Sequence, residues 1–262
     1  STDQPLGRSV LGNDKSIRGV ALEDLHGWMT AHYVPNRLIL VAAGKLDHER
    51  LLDLAEQHFG SMAAGAAAAA EPANFTGGQR IERRRAKQAH IALAMPAPCW
   101  SAPDAFAAQL FADVVGSGAS CRLFQHLREE QGLAYSVSAG AQHYSDCGMF
   151  WTYVATSPKD AAWARAEVER VLAEAVDSLS QAEVDRARAV AKAMMMMNLE
   201  SCWGQASYLA SRLLREGRLT EPAEIVARLD AIALEDVREA GRRMLGGPRA
   251  LAGVGSKLAT AA

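Results

Sequence analysis

The chain has 262 residues, 49% of them hydrophobic, which is ample material for one large domain or two modest ones. A net charge of -2 argues against a broad nucleic-acid surface, and the compact basic run Arg83-Arg84-Arg85 reads as a solvated strand end. No apolar stretch reaches the roughly 18 to 20 residues of a membrane helix, and Cys99, Cys121, Cys147 and Cys202 are too widely spaced for a disulfide scaffold or a structural zinc site. STDQPLGRSV has neither the charged nor the apolar region of a signal peptide, and the cysteine usage mildly favours a reducing compartment.

In chain order, periodicity predicts a helix over 21–33 stopped by Pro35, a strand over 38–44 and a helix over 47–58. Residues 60–79, GSMAAGAAAAAEPANFTGGQ, read as an interdomain linker, although the alanine run also suits an extension of the preceding helix. Ala89 to Ala94 reads as a strand, and Asp104 to Val115 as a helix ended by Gly116-Ser117-Gly118. A further helix from about Ser120 to Gln131 is capped by Gly132. Strands follow over Leu133 to Ala139 and Gly148 to Ala155, joined by AQHYSDC. Lys159 to Leu245 is almost continuously helical, with breaks near Ser178 to Ser180, Gly217 and Pro222, before a last strand over Ala250 to Val254. The run Met194 to Met197 points all round its helix and reads as core packing. Clustered strands with appended helices predict an α+β fold, a mixed, largely antiparallel sheet covered by helices.

The chain also repeats itself. Ala21-Leu22-Glu23-Asp24 recurs as Ala233-Leu234-Glu235-Asp236; each opens a helical pattern followed by an Arg (Arg37, Arg249), a short apolar run and Lys-Leu (Lys45-Leu46, Lys257-Leu258). Residue 1 then corresponds to a point late in the second copy. The expected organisation is a C-terminal remnant of a first domain over 1–60, a linker over 61–79 and a complete second domain over 80–262, so that the chain is a fragment or a shortened relative.

Arg128, near a helix end, and Tyr135, in the next strand, can reach one side of the sheet. A guanidinium and a phenol hydroxyl there can hydrogen-bond a peptide carbonyl and stabilise oxyanion charge. Bland readings stand beside this. Leu133, Tyr135, Val137 and Ala139 alternate, so Tyr135 also fits a core position, and Arg128 also fits a complement to the helix dipole paired with Glu129 or Glu130. Gly116-Ser117-Gly118 could cradle an anion on backbone N–H groups but lacks the Lys-Ser/Thr of a nucleotide loop. His126 and Glu130 have metal-ligand spacing, yet HLREE reads better as solvated helix surface, and Cys121 reads as buried.

The segment LREEQGLAYSV, residues 127–137, resembles the L-R-E-x-x-G-L-x-Y-S-V signature in the second domain of pitrilysin-type (insulinase-type) zinc peptidases, the family of mitochondrial processing peptidase. PLGR, the ALED helix and a closing Ala252 to Gly255 occur in family-like order, and the likeness covers nearly the whole chain. The resemblance implies that Arg128 and Tyr135 reach across a cleft to a substrate held at zinc in the first domain, with Gly116, Ser117 and Gly118 facing the same cleft. The family's His-x-x-Glu-His motif is absent from the chain. Zinc is thus expected in the intact protein or complex and none on this chain. The implied partners are a peptide substrate, a missing zinc-binding half or a zinc-bearing homologous subunit, and possible self-association. The implied function is the clamp portion of a metalloendopeptidase. The alternative is a non-catalytic subunit of the same fold, as in processing-peptidase partners and respiratory-complex core proteins.

Overall fold

The computed structural model describes residues 4–66 and 71–256, which divide into two compact units: Ser1–Ala73 with Met194–Thr220, and Asn74–Ala193 with Glu221–Ala262. The helices are α1 (Asp14–Arg18), α2 (Leu22–His32), α3 (His48–Phe59), α4 (Ala105–Gly116), α5 (Ala161–Ser178), α6 (Gln181–Leu199), α7 (Cys202–Glu216), α8 (Pro222–Asp230) and α9 (Leu234–Gly246). The strands are β1 (Gly78–Glu82), β2 (Ala89–Ala97), β3 (Ala134–His143), β4 (Gly148–Thr156) and β5 (Ala250–Val254). A π-helix, Phe124–Glu130, stands between α4 and β3.

In the first unit, local chemistry sets the helix ends. Asp24 accepts a hydrogen bond from the Ala21 backbone N at 2.9 Å, and Asp47 accepts one from the Arg50 N at the same distance, so orphan amides at the starts of α2 and α3 are satisfied. Ser201 caps α7 through the Gly204 N at 3.0 Å, which makes a break that the sequence pattern did not predict. Gly217, with φ of +68°, ends α7 in the left-handed region. The strand expected over 38–44 does not form. An extended segment becomes a strand only by pairing, and 38–44 has no ladder partner among the described residues. The methionine run is also corrected: Met194, Met196 and Met197 are exposed, because successive positions on α6 face every direction and only one side of the helix is covered.

The second unit is a five-stranded sheet in the order β1-β5-β2-β4-β3, parallel between β1 and β5 and antiparallel elsewhere. This is the mixed, largely antiparallel α+β architecture that the sequence predicts. Alternation puts Ile91, Leu93 and Met95 of β2 and Phe150 and Val154 of β4 on one buried face, under α4, α5 and α9. Phe111 of α4 meets Phe150 edge-on, with ring centroids 5.9 Å apart. Gly241 of α9 lets that helix close on Phe111, since a Cβ there would lie 2.5 Å from the ring. The opposite face carries His90, Trp151 and Tyr153, with His90 Nδ1 and the Tyr153 hydroxyl 2.7 Å apart. Strand β1 was not predicted: GQRIE has almost no apolar alternation, because it is a charged edge that among the described residues pairs with β5 alone. Lys257-Leu258 of the sequence repeat lies outside the described residues.

Candidate functional site

Helix α4 ends where its last residue, Gly116, meets β3: a Cβ on Gly116 would lie 2.1 to 2.4 Å from Ala139 Cβ, N and Cα. Close packing, rather than ligand approach, therefore requires this glycine. Ser117 and Gly118 are exposed, and Gly118 takes a φ of +77° that favours glycine. Near the end of α4, burial pushes the Asp113 carboxyl up to about 6, although Gln109 donates to it at 3.0 Å.

The chain then turns into the motif segment. Cys121 is buried, and burial pushes its thiol upward, which disfavours the thiolate. Arg122 forms a two-pronged pair with Glu183 (2.7 and 2.8 Å) and also donates to the Ser178 hydroxyl and carbonyl, tying the segment to the α5–α6 junction. Burial alone would raise the Glu183 carboxyl, but the Arg122 guanidinium and two Ser180 donors hold it at about 2. Leu123 and Leu127 are fully buried and seat the helix on the core.

Phe124 to Glu130 winds as a π-helix, closed by the Gln131 N donating to the His126 carbonyl at 3.1 Å. The predicted α-helix is thus widened by one residue per turn at the motif. Gly132, at φ +61°, makes the predicted left-handed exit. The Arg128 guanidinium lies 5.1 Å from the centre of the Phe124 ring and donates to the Tyr135 backbone carbonyl at 3.1 Å. It pairs with neither Glu129 nor Glu130 among the described residues, so the dipole-and-pair reading fails in that respect.

Tyr135 sits in a β-bulge. Ala134 stands opposite Thr156, and Ser136 opposite Ala155, which leaves Tyr135 as the extra residue. The alternation expected from Leu133 breaks here. Ala134 is buried, whereas Tyr135 and Ser136 both face solvent, and Tyr135 is 58% exposed. The core reading of Tyr135 is therefore corrected: a bulge, not alternation, sets its direction. The structure brings Arg128 and the Tyr135 main chain together, with the phenol standing outward beside them.

HLREE is more than solvated surface. The His126 side chain is only 19% exposed and contacts Glu130 at 3.0 Å and Glu167 of α5 at 2.5 Å. Arg170 binds the same Glu167 oxygen at 2.8 Å and holds that carboxyl, with help from His126, at about 2. Both His126 ring nitrogens are engaged, so His126 and Glu130 do not fit a zinc ligand pair, and no group of three or more His, Cys, Asp or Glu suited to a metal occurs among the described residues. The i,i+4 spacing was visible in sequence; Glu167 and Arg170, which decide its use, lie a helix away. A pocket of about 280 Å³ between α5, α9 and Met95 lies on the covered face of the sheet, and Tyr135 does not line it. No helix among the described residues is long and apolar enough to cross a membrane.

Residues 19–190 match the family model described as "Peptidase M16 inactive domain". A Mycobacterium leprae protein named as an uncharacterized zinc protease is 29% identical over 250 residues, covering 93% of this chain and 56% of that protein. The mitochondrial-processing peptidase subunit beta of Pongo abelii is 29% identical over 246 residues, covering 89% of this chain and 50% of that protein. The chain thus spans about half the length of the curated relatives it matches. Among solved structures, a chain of complex III2 from Candida albicans superposes with a TM-score of 0.86 at 24% identity, over 96% of this chain and 63% of that one. A peptidase M16 inactive domain from Pseudomonas fluorescens gives 0.85 at 20% identity, over 97% of this chain and 62% of that one. These likenesses carry the fold, and the sequence match carries the family: the chain belongs to the peptidase M16 family, pitrilysin-like, through its inactive domain.

Proposed function

We propose that this chain supplies the substrate-clamping wall of a zinc metalloendopeptidase acting on extended or unfolded peptides, with the metal held by residues outside it. The observation that carries this reading is the bulge at Tyr135. It turns a tyrosine that alternation would bury into the solvent, beside an arginine whose guanidinium is anchored on the same residue's carbonyl. Anchored through one N–H, Arg128 keeps its remaining donors for a substrate carbonyl, and the Tyr135 hydroxyl has no partner among the described residues. Two such preset donors stabilise charge on a carbonyl oxygen without reorganising when the charge appears. Zinc, when bound by the remainder of the protein or by a partner, supplies the activated water. Ser117 and Gly118 offer exposed backbone along the same segment, and Gly116 serves packing.

With the zinc-bearing part present, Arg128→Ala should lower kcat by about 10²- to 10³-fold and Tyr135→Phe by a similar or smaller factor. Full turnover in both variants sinks the clamp assignment. The description of the matching family model as an inactive domain favours a second reading, a non-catalytic subunit whose role is assembly. Under that reading no combination with a zinc-bearing partner gives cleavage that depends on Arg128.

A further inference from the structure

We propose that His126 is the positioning residue for Arg128: bridging Glu130 and Glu167, it fixes the polar side of the π-helix to α5 and so holds the Arg128 guanidinium on the Tyr135 carbonyl. The consequence for catalysis rests on the clamp reading; the positioning itself does not.

Leu123 and Leu127 anchor the π-helix from its apolar side only, and Arg128 and Glu129 stand in solvent. Between them His126 acts twice. Its carbonyl accepts the Gln131 N at 3.1 Å, the bond that closes the wide turn around Arg128. Its ring lies 3.0 Å from Glu130 Oε2 through Nδ1 and 2.5 Å from Glu167 Oε2 through Nε2. Ionised carboxylate oxygens only accept, so a ring that serves both Glu130 and Glu167 carries a proton on each nitrogen, whereas Arg170, which only donates, is served by a lone pair on Nε2; Glu167 and Arg170 compete for that atom. The charged groups around the ring are Glu130 from the π-helix, and Glu167, Arg170 and Glu174 from α5. Arg170 Nη2 lies 2.8 Å from Nε2, where it can donate to a lone pair; it also shares Glu167 Oε2 and spends its other arm on Glu174 at 2.6 Å. Three carboxylates therefore surround the ring and Arg170. A neutral ring keeps one donor and turns a lone pair toward the other carboxylate, which loosens the turn that carries Arg128.

The test uses the isotope-labelled full chain, following the His126 ring by NMR and the amide-exchange protection factors of Arg128 to Leu133 from about pH 5 to about pH 9, the range that spans a histidine's titration. Protection at these amides should fall about tenfold as His126 loses its proton, while amides of Leu110 to Val114 in α4 stay unchanged. His126→Gln should show the low protection at every pH, and His126→Lys, which keeps a cation, should restore a flat, higher protection. Titration of His126 with no change at Arg128 to Leu133 overturns the proposal, as does wild-type protection in folded His126→Gln. With the zinc-bearing part present, His126→Gln should lower kcat more than it raises KM and remove one limb of the pH profile. If exchange behaves as expected and cleavage does not respond, the strut stands and the clamp reading fails.

Discussion

Helices α2 and α9 begin with the same Ala-Leu-Glu-Asp and the same cap, an aspartate accepting from the backbone N three residues earlier at 2.9 Å in one and 2.8 Å in the other. Aligned on that tetrapeptide, Leu25, Trp28 and Met29 of α2 occupy the places of Val237, Ala240 and Gly241 of α9. The α9 residues are buried against the sheet and Phe111, whereas Leu25, Trp28 and Met29 are 52%, 63% and 49% exposed. The segments after them differ in the same way: Ala250–Val254 pairs with two strands, and residues 38–43 pair with none among the described residues. The lesson is that helix formation is written locally, while burial and strand pairing need partners at long range.

The sharpest way to break the second unit is at its best-packed ring. Phe111→Ala should cost about 3 to 5 kcal/mol, read by urea unfolding of the sheet, because the ring is fully buried between Phe150 and Gly241. An unchanged midpoint would mean that this core is not what holds the unit together. Next comes the Arg122 tie. Arg122→Ala should cost about 2 to 3 kcal/mol near neutral pH, because it leaves Glu183 without its guanidinium. The sign with pH follows from the depressed Glu183 carboxyl at about 2: its stabilisation is present above the usual carboxylate range near 4.5 and is lost as pH falls toward 2. The gap between wild type and variant should therefore shrink in acid; a gap undiminished at about pH 2.5 contradicts the assignment.

Asp113 runs the other way. Its carboxyl, raised to about 6, favours the folded state fully below about 4, and that contribution is lost as pH rises through about 6. Asp113→Asn should stabilise the chain by about 1 to 2 kcal/mol at pH 8 and by almost nothing at pH 4. Equal stabilisation at both pH values would point to a cause other than the buried charge. The smallest effect is expected in the first unit, where Trp28→Ser should change stability by less than about 0.5 kcal/mol. The same change should reduce any self-association seen by light scattering, since Trp28 belongs to an exposed apolar stripe. A large stability loss would show that the α2 stripe is covered after all.

Much of the fold was legible because it rests on local signals. The ends of α2, α4 and α9, the Gly132 exit and the β2, β4 and β5 strands follow from caps, glycines and alternation. Arg128 and Tyr135 are singled out by a family resemblance, not by pattern. What could not be read depends on residues far away in sequence. The bulge exists because Ser136 registers on Ala155 while Ala134 stays on Thr156, and nothing in AYSV alone announces that. The π-turn has an ordinary helical sequence, and β1 shows as a strand only because β5 lies beside it. His126 reads as solvated surface in sequence, because Glu167 and Arg170 of α5, which hold its ring, lie a helix away.

The bulge has a further meaning when chain length is counted. The π-turn before Gly132 uses one residue more than a regular helix needs, and the bulge after it uses one more than the facing strand supplies. Slack is wound into the polypeptide on both sides of a single glycine. Deleting Ala134 would place Tyr135 opposite Thr156, restore an unbroken ladder and turn the phenol to the face that α4 covers. The motif therefore measures length as much as it specifies side chains, and a deletion that improves local regularity would disarm it.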